Sequence, residues 1–254
     1  MTPAKRLMDL ALALLALALL WPVLLGIALW IRLRDGGPVL HVSERMKTPQ
    51  TAFALVKFRT MAPDPHDSGV SGGDKACRVT ATGRWLRRTR IDELPQLWNI
   101  LRGDMSLVGP RPPLRQYVDQ FPLLYAQVLT CRPGVTGLAT LEFHGREDAL
   151  LRACTSAEQT ERIYVRRCIP AKARLDLIYL RRRSIGLDLL LILRTLNRRV
   201  PLRRPPRRPV RSANSTTSER STSSATIPGI RASATIPCRA APASAPRPGR
   251  RPSE

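Results

Sequence analysis

Asp92 and Glu93 stand side by side in the stretch 84–113, RWLRRTRIDELPQLWNILRGDMSLVGPRPP, between a basic run and a Gly-Pro-Arg-Pro turn. An ionised aspartate is a competent nucleophile toward phosphorus, and a neighbouring carboxylate can hold a hard cation such as Mg²⁺ through oxygen. Leu94, Leu97, Trp98 and Leu101 follow at helical spacing, with Pro95 tolerable only in a first turn. That spacing puts the pair at a helix start, where backbone N–H groups and the macrodipole favour a carboxylate or a bound phosphate. Acidic residues at helix starts usually serve as caps, so the dipeptide by itself favours Asp92 as an N-cap.

Cations that could face a phosphate recur around the pair. Arg87 and Arg88 precede it, Lys57 and Arg59 end an apolar stretch at 52–58, and Arg111 lies in a proline-stiffened turn that can fix its planar fork on two phosphate oxygens. Gly109 in that turn lets backbone approach a ligand closely. A second Pro/Gly turn, 131–137, carries Arg132. For each of these cations the plainer alternative is a solvated charge.

Several elements must position these groups. Residues 7–31 are almost wholly apolar, broken by Asp9, Gly26 and a central Trp21-Pro22, and are long enough to span a bilayer as a helix. The run outlasts a signal-peptide core and has no small-residue cleavage site, so it stays attached. Lys5 and Arg6 flank one end, Arg32 and Arg34 the other, so charge selects no orientation. A straight span and a re-entrant helix turned back at Pro22 both fit. Asp35-Gly36-Gly37-Pro38 is a turn, and 39–42 with 52–58 form a β-hairpin. Residues 63–75 form a Pro/Gly/Asp/Ser loop, and 114–129 are helical. In 142–167, Arg146, Glu147 and Asp148 read as a solvated helix face. Residues 175–200 form one amphipathic helix suited to a membrane interface, with packing on the core as the competing explanation.

At 254 residues the chain allows one catalytic unit of about 200 residues. The net charge of +23 points to polyanionic partners, anionic lipid or phosphorylated substrates among them. Much of it lies in 201–254, a Pro/Arg/Ser/Ala tail with Ser-Ala-Thr-Ile-Pro at Ser224 and again at Ser233, which cannot bury a core and is expected to be disordered. That location weakens a nucleic-acid reading. Five cysteines without a C-x-x-C pair give neither a zinc site nor a disulfide framework.

Several motifs occur in order over about 3–197. They are Lys-Arg-x-x-Asp before the proline-broken helix, Gly-Pro-Val, Lys-Phe-Arg-Thr-Met, Asp-Glu-Leu-Pro-Gln-Leu-Trp-Asn, Gly-Asp-Met-Ser-Leu-Val-Gly-Pro-Arg-Pro, Arg-Pro-Gly-Val-Thr-Gly, and Tyr179 to Ser184 running into Leu187-Asp188-Leu189. In these the chain resembles the monotopic phosphoglycosyl transferases among the bacterial sugar transferases. The family pattern departs at Ser43-Glu44-Arg45-Met46-Lys47 and at Gly137-Leu138-Ala139-Thr140, which bears on the donor, and also over 142–167, where a subgroup insertion is the alternative to a solvated face.

The resemblance implies an α+β, mainly helical fold in three parts: a re-entrant membrane helix (1–34) broken at Pro22, a cytoplasmic catalytic domain (35–200) with interfacial helices and a small β-hairpin around a membrane-surface active site, and the tail. It implies Asp92 as nucleophile, Glu93 as Mg²⁺ ligand and aid to proton transfer, and Lys57, Arg59, Arg87 or Arg88, and Arg111 toward phosphate, with Arg132 of the second turn a further phosphate candidate. It further implies transfer of a sugar 1-phosphate from a UDP-sugar to polyprenyl (undecaprenyl) phosphate at the cytoplasmic face of a bacterial inner membrane. Exopolysaccharide or other glycoconjugate synthesis would begin with that step, and downstream glycosyltransferases are possible partners. A catalytically silent membrane scaffold and a basic nucleic-acid-binding protein are the alternatives.

Overall fold

The computed structural model describes residues 1–64 and 69–197. The sequence-based disorder of 201–254 lies outside the described residues, as does the end of the helix expected to reach residue 200. The described part is mainly helical.

Helix α1, Pro3–Arg34, opens with a Thr2 cap whose side chain accepts from Lys5 N at 3.3 Å, and Pro22 lies within it without ending it. Its buried residues are Asp9, Ala13, Ile27 and Ile31, toward the two ends, while Leu19, Trp21, Val23 and Leu25 in the middle are exposed. Ala13 packs with Phe53, Leu55, Leu97, Ile100 and Met105, and Ile27 and Ile31 pack with Phe58 and Leu86. Both ends therefore rest on one body.

Gly36 and Gly37, at φ 61° and 57°, make the turn after α1. Strands β1, Leu40–Met46, and β2, Ala52–Phe58, then pair antiparallel from Leu40↔Phe58 to Met46↔Ala52. β2 is also gripped from its side. Asn99, fully buried on helix α3 (Gln96–Arg102), donates to Ala54 O at 2.7 Å and accepts from Val56 N at 3.1 Å. One amide thus replaces a strand neighbour and ties the helix after the Asp-Glu pair to the strand bearing Lys57.

Helix α2, Ala81–Thr89, is capped by Thr80 and packs so closely that Gly83 lies against Thr60 backbone. Past the first site region, β3 (Ser106–Val108) and β4 (Gly134–Thr136) pair in parallel, a contact absent from the sequence-based expectation. It brings the two Pro/Gly turns together. Gly109 N donates to Thr136 O at 2.9 Å and Gly134 N to Pro110 O at 2.8 Å. The glycines serve this contact between backbones: a Cβ on Gly109 would stand 2.5 Å from Arg132 O, and one on Gly134 would stand 2.1 Å from Gly109 N. Close approach to a ligand is not what Gly109 is needed for. Gly134→Ala should therefore force the turns apart and cost about 1–3 kcal/mol, as overpacking does. A thermal unfolding midpoint equal to wild type would refute this account.

The 114–129 region is two short helices, α4 (Arg115–Gln120) and α5 (Pro122–Val128), divided at Phe121-Pro122. Helix α6, Leu138–Arg152, and α7, Ala157–Ile163, follow, and a wider turn at Tyr164–Cys168 leads into α8, Ile169–Arg182. Tyr117, Val128, Phe143, Cys168 and Ala173 form the main core among these elements.

The single amphipathic helix expected over 175–200 is two. Arg183 is extended, and Ser184 caps α9, Ile185–Leu196, by accepting from Leu187 N at 3.2 Å. α9 both packs and faces outward: Leu191 is fully buried against Val108 and Tyr179, while Leu189, Leu193 and Leu196 are exposed. A buried polar chain fastens α1 to these parts. Asp9 accepts from Ser106 Oγ at 2.7 Å, Lys5 donates to Asp188 at 2.6 Å, and Tyr179 OH donates to Asp188 at 2.7 Å.

Candidate active site

The helix start expected at Asp92-Glu93 is displaced. α2 ends at Arg90, whose φ of 62° is left-handed and rare for a residue with a side chain. A single 3₁₀ turn, Ile91–Glu93, follows, and α3 begins only after Pro95. Neither acidic side chain caps the helix. The capping alternative fails because Pro95 takes the cap position, while the turn at Arg90 redirects the chain so that both carboxylates line a cavity of about 670 Å³.

Asp92 is 8% exposed, and its Oδ1 has no hydrogen-bond partner among the described residues. A buried, unsatisfied carboxylate oxygen is costly, roughly 1–3 kcal/mol or more. Burial and the adjacent Glu93 push the Asp92 carboxyl up to about 6, against the opposing pull of Lys57, Arg87 and Arg111. Glu93 differs because its oxygens are held: Arg111 donates to Oε1 at 2.8 Å and Arg90 to Oε2 at 3.4 Å. Burial works against its charge, but Arg111, Arg90 and Lys57 outweigh that and hold its carboxyl below the usual range. Two neighbouring carboxyls thus have opposite tendencies, the pattern that separates roles at reactive sites.

The cations are crowded, with Lys57, Arg45 and Arg87 half-buried and Arg88 and Arg111 exposed at the rim. Burial, with Arg111, Arg45 and Arg87 nearby, lowers Lys57 to about 8. Arg45 falls to about 10 through burial and Arg111. Arg87 Nε donates to Thr60 Oγ1 at 2.8 Å, which fixes its stem, and Arg88 lines the same cavity. Like charges this close repel, so the cluster is complete only with an anion among them.

Of the sequence-derived candidates, Lys57, Arg87, Arg88, Asp92, Glu93 and Arg111 come together. Arg59 and Arg132 do not line the cavity. Arg59 is buried and donates to the Asp35 and Gly36 carbonyls, closing the turn after α1. Arg132 lies in a separate recess with Arg6, Lys47 and Thr130. Sequence reasoning missed Arg45, Arg90, His144, Glu147, Lys172 and Asp176, all on the cavity wall. In the sequence Arg45 stands out only as part of a departure from the family pattern, and Glu147 reads as part of a solvated face.

No group of three or more His, Cys, Asp or Glu side chains gathers among the described residues in a form that could hold a metal ion. Glu93 nevertheless fits a cation of the Mg²⁺ type, because its Oε2 is met only by Arg90 at a long 3.4 Å and such a cation commonly takes one or two carboxylates and completes its shell with substrate phosphates and water.

The family model described as bacterial sugar transferase matches residues 1–201. A UDP-N-acetylgalactosamine-undecaprenyl-phosphate N-acetylgalactosaminephosphotransferase of Aeromonas hydrophila is 35% identical over 198 residues, covering 76% of this chain and 42% of that protein. A UDP-glucose:undecaprenyl-phosphate glucose-1-phosphate transferase of Xanthomonas campestris is 35% identical, over 76% of this chain and 38% of its own length. A protein of the same name in Caulobacter vibrioides is 38% identical, over 76% and 68%. The chain thus spans about two fifths of the first two relatives and about two thirds of the third. With a model match across its whole described length, the chain belongs to the bacterial sugar transferase family.

Proposed function

We propose that the protein transfers a sugar 1-phosphate from a UDP-sugar to undecaprenyl phosphate through a covalent intermediate on Asp92. The observation that carries this reading is the Asp92 carboxylate, buried with one oxygen unpartnered, beside a cavity lined by Lys57, Arg87, Arg88 and Arg111. In the first step an Asp92 oxygen attacks the β-phosphorus. The new O–P bond forms as the bond to the bridging oxygen breaks, and UMP leaves with that oxygen. In the second step an oxygen of polyprenyl phosphate attacks the same phosphorus and Asp92 is released. Lys57, Arg87 and Arg111 offset charge on the phosphate oxygens in both steps, and Arg87 and Arg111 need little rearrangement because Thr60 and Glu93 already hold them. Mg²⁺ at Glu93 would supply further charge neutralisation at the diphosphate.

The acceptor's lipid tail requires a site at a membrane. Exposed Leu19, Trp21, Val23 and Leu25 on α1 and Leu193 and Leu196 on α9 support that location. Both ends of α1 rest on one body, which supports a helix that enters the bilayer and returns to the cytoplasmic face of the inner membrane. Cysteines introduced beside Lys5 and beside Arg34 should then react with an impermeant maleimide from one side, with wild-type protein as reference for native thiols. Labelling from opposite sides would refute re-entry.

The activity is tested by incubating detergent-solubilised protein with Mg²⁺, undecaprenyl phosphate and UDP-glucose, UDP-galactose, UDP-N-acetylglucosamine or UDP-N-acetylgalactosamine. UMP release with at least one donor is expected. UMP absent with every donor would favour a silent scaffold. In a cell this transfer would begin assembly of an exopolysaccharide or another glycoconjugate, because the product is a lipid-linked sugar ready for extension.

A further inference from the structure

One wall of the cavity has a chemistry that phosphate transfer does not use. Glu147 on α6 and Lys172 and Asp176 on α8 all line it. Lys172 Nζ donates to Glu147 Oε1 at 2.8 Å and to Tyr164 OH at 3.3 Å. It also sits 5.1 Å from the centre of the Tyr164 ring. Asp176 is 6% exposed, and its Oδ1 has no hydrogen-bond partner among the described residues. Burial pushes its carboxyl up to about 7, with Lys172 opposing.

As scaffolding alone this wall is poorly built. The Glu147–Lys172 pair is only partly buried, where an ion pair adds little stability, and the orphaned buried oxygen of Asp176 carries a cost. A second anion-binding site is also a poor match, since the wall has two carboxyls to one ammonium. A neutral group with several hydroxyls fits better. Each hydroxyl both donates and accepts, so it can give a proton to Asp176 or Glu147 and take one from Lys172. The wall also adjoins the phosphate end, since Glu147 and Tyr164 both act on the charge of Arg111, the residue paired with Glu93.

We propose that Glu147, Lys172 and Asp176 form the subsite for the sugar ring of the donor and set which UDP-sugars are accepted. This rests on the reading of the protein as a UDP-sugar transferase. In the donor the sugar is bonded directly to the β-phosphorus that Asp92 attacks, so its ring must lie beside the Arg111 end of the phosphate cluster. Asp176, with its free oxygen, takes a ring hydroxyl; the Glu147–Lys172 pair holds a second polar substituent.

The test compares binding of a UDP-sugar with binding of UDP, which lacks only the sugar. Full-length protein in detergent, carrying Asp92→Asn so that the donor binds without reacting, is titrated with UDP-glucose, UDP-N-acetylgalactosamine and UDP, alone and with Asp176→Asn, Glu147→Gln or Lys172→Met added. At least one added substitution is expected to weaken binding of the preferred UDP-sugar tenfold or more while affinity for UDP stays within twofold. With Asp92 intact, the kcat/KM ratio between the two donors should shift for that same substitution. Equal loss for UDP and UDP-sugar would overturn the proposal and place the nucleotide on this wall. No change for either ligand in the near-isosteric Asp176→Asn and Glu147→Gln would also overturn it, even if Lys172→Met fails to fold. Failure of the parent reading has a different signature: wild-type protein that binds neither donor more tightly than UDP and releases UMP from none of them.

Discussion

Asp92→Asn should abolish UMP release, by on the order of 10⁴-fold or more, as loss of a covalent nucleophile does. The same substitution should make the protein more stable at neutral pH. Burial and Glu93 raise the Asp92 carboxyl from 3.8 to about 6, so the folded protein holds an anion that the unfolded chain accommodates better. Above pH 6 this cost is fully present; it shrinks as pH falls and vanishes below about 4, where both states are protonated. A shift of that size is worth up to about 3 kcal/mol, at 1.36 kcal/mol per unit. Asparagine removes the charge and keeps the shape. Activity and unfolding midpoint should therefore move in opposite directions, with the stability gain absent at pH 3.5. Loss of activity together with loss of stability would mean that the substitution damages the fold. UMP release at the wild-type rate would remove Asp92 from the role of nucleophile. Wild-type protein given UDP-sugar without acceptor should also gain the mass of a sugar phosphate, and the variant should not.

What was legible in the sequence depended on how local its cause was. The hairpin follows from two strand-forming stretches close in sequence: β2 matches the expected 52–58, while β1, expected at 39–42, runs on to Met46 and meets β2 through the turn at 47–51. The Asp-Glu pair was legible as chemistry but not as geometry. Helical spacing from Leu94 hid the left-handed Arg90 and the 3₁₀ turn, since nothing in an arginine signals positive φ. β3 and β4 are three residues each and pair across a long interval, so neither carries enough pattern to be read as a strand. Their glycines were visible, but the backbone each accommodates was not. Asn99 shows the same limit, because an amide that completes a distant strand looks in sequence like any polar helical residue. Glu147, Lys172 and Asp176 lie on helices whose charges resemble a solvated face. Only the packing of α8 on α6 turns that face inward.

Lys57 should set the alkaline limit of the reaction. A lysine that contacts phosphate must keep its proton, and burial with Arg111, Arg45 and Arg87 lowers Lys57 to about 8. Asp92 must lose its proton, which happens near 6. The kcat/KM for the UDP-sugar should therefore be bell-shaped, rising through about pH 6 and falling through about pH 8, because this ratio reports groups of the free enzyme. In a ping-pong scheme the ratio for the donor covers only the first half-reaction, so titration of the acceptor phosphate does not enter it. Lys57→Met should lower kcat/KM by about 10²–10³ at pH 7, the usual cost of removing one donor to a developing oxyanion. Lys57→Arg separates charge from geometry. Its guanidinium keeps its proton past pH 10 but cannot place a single point charge as an ammonium does, so the plateau should fall while the alkaline limb moves up by more than one pH unit. An alkaline limb that stays near pH 8 in Lys57→Arg would assign that ionisation to another group and leave Lys57 only a structural part in the cluster.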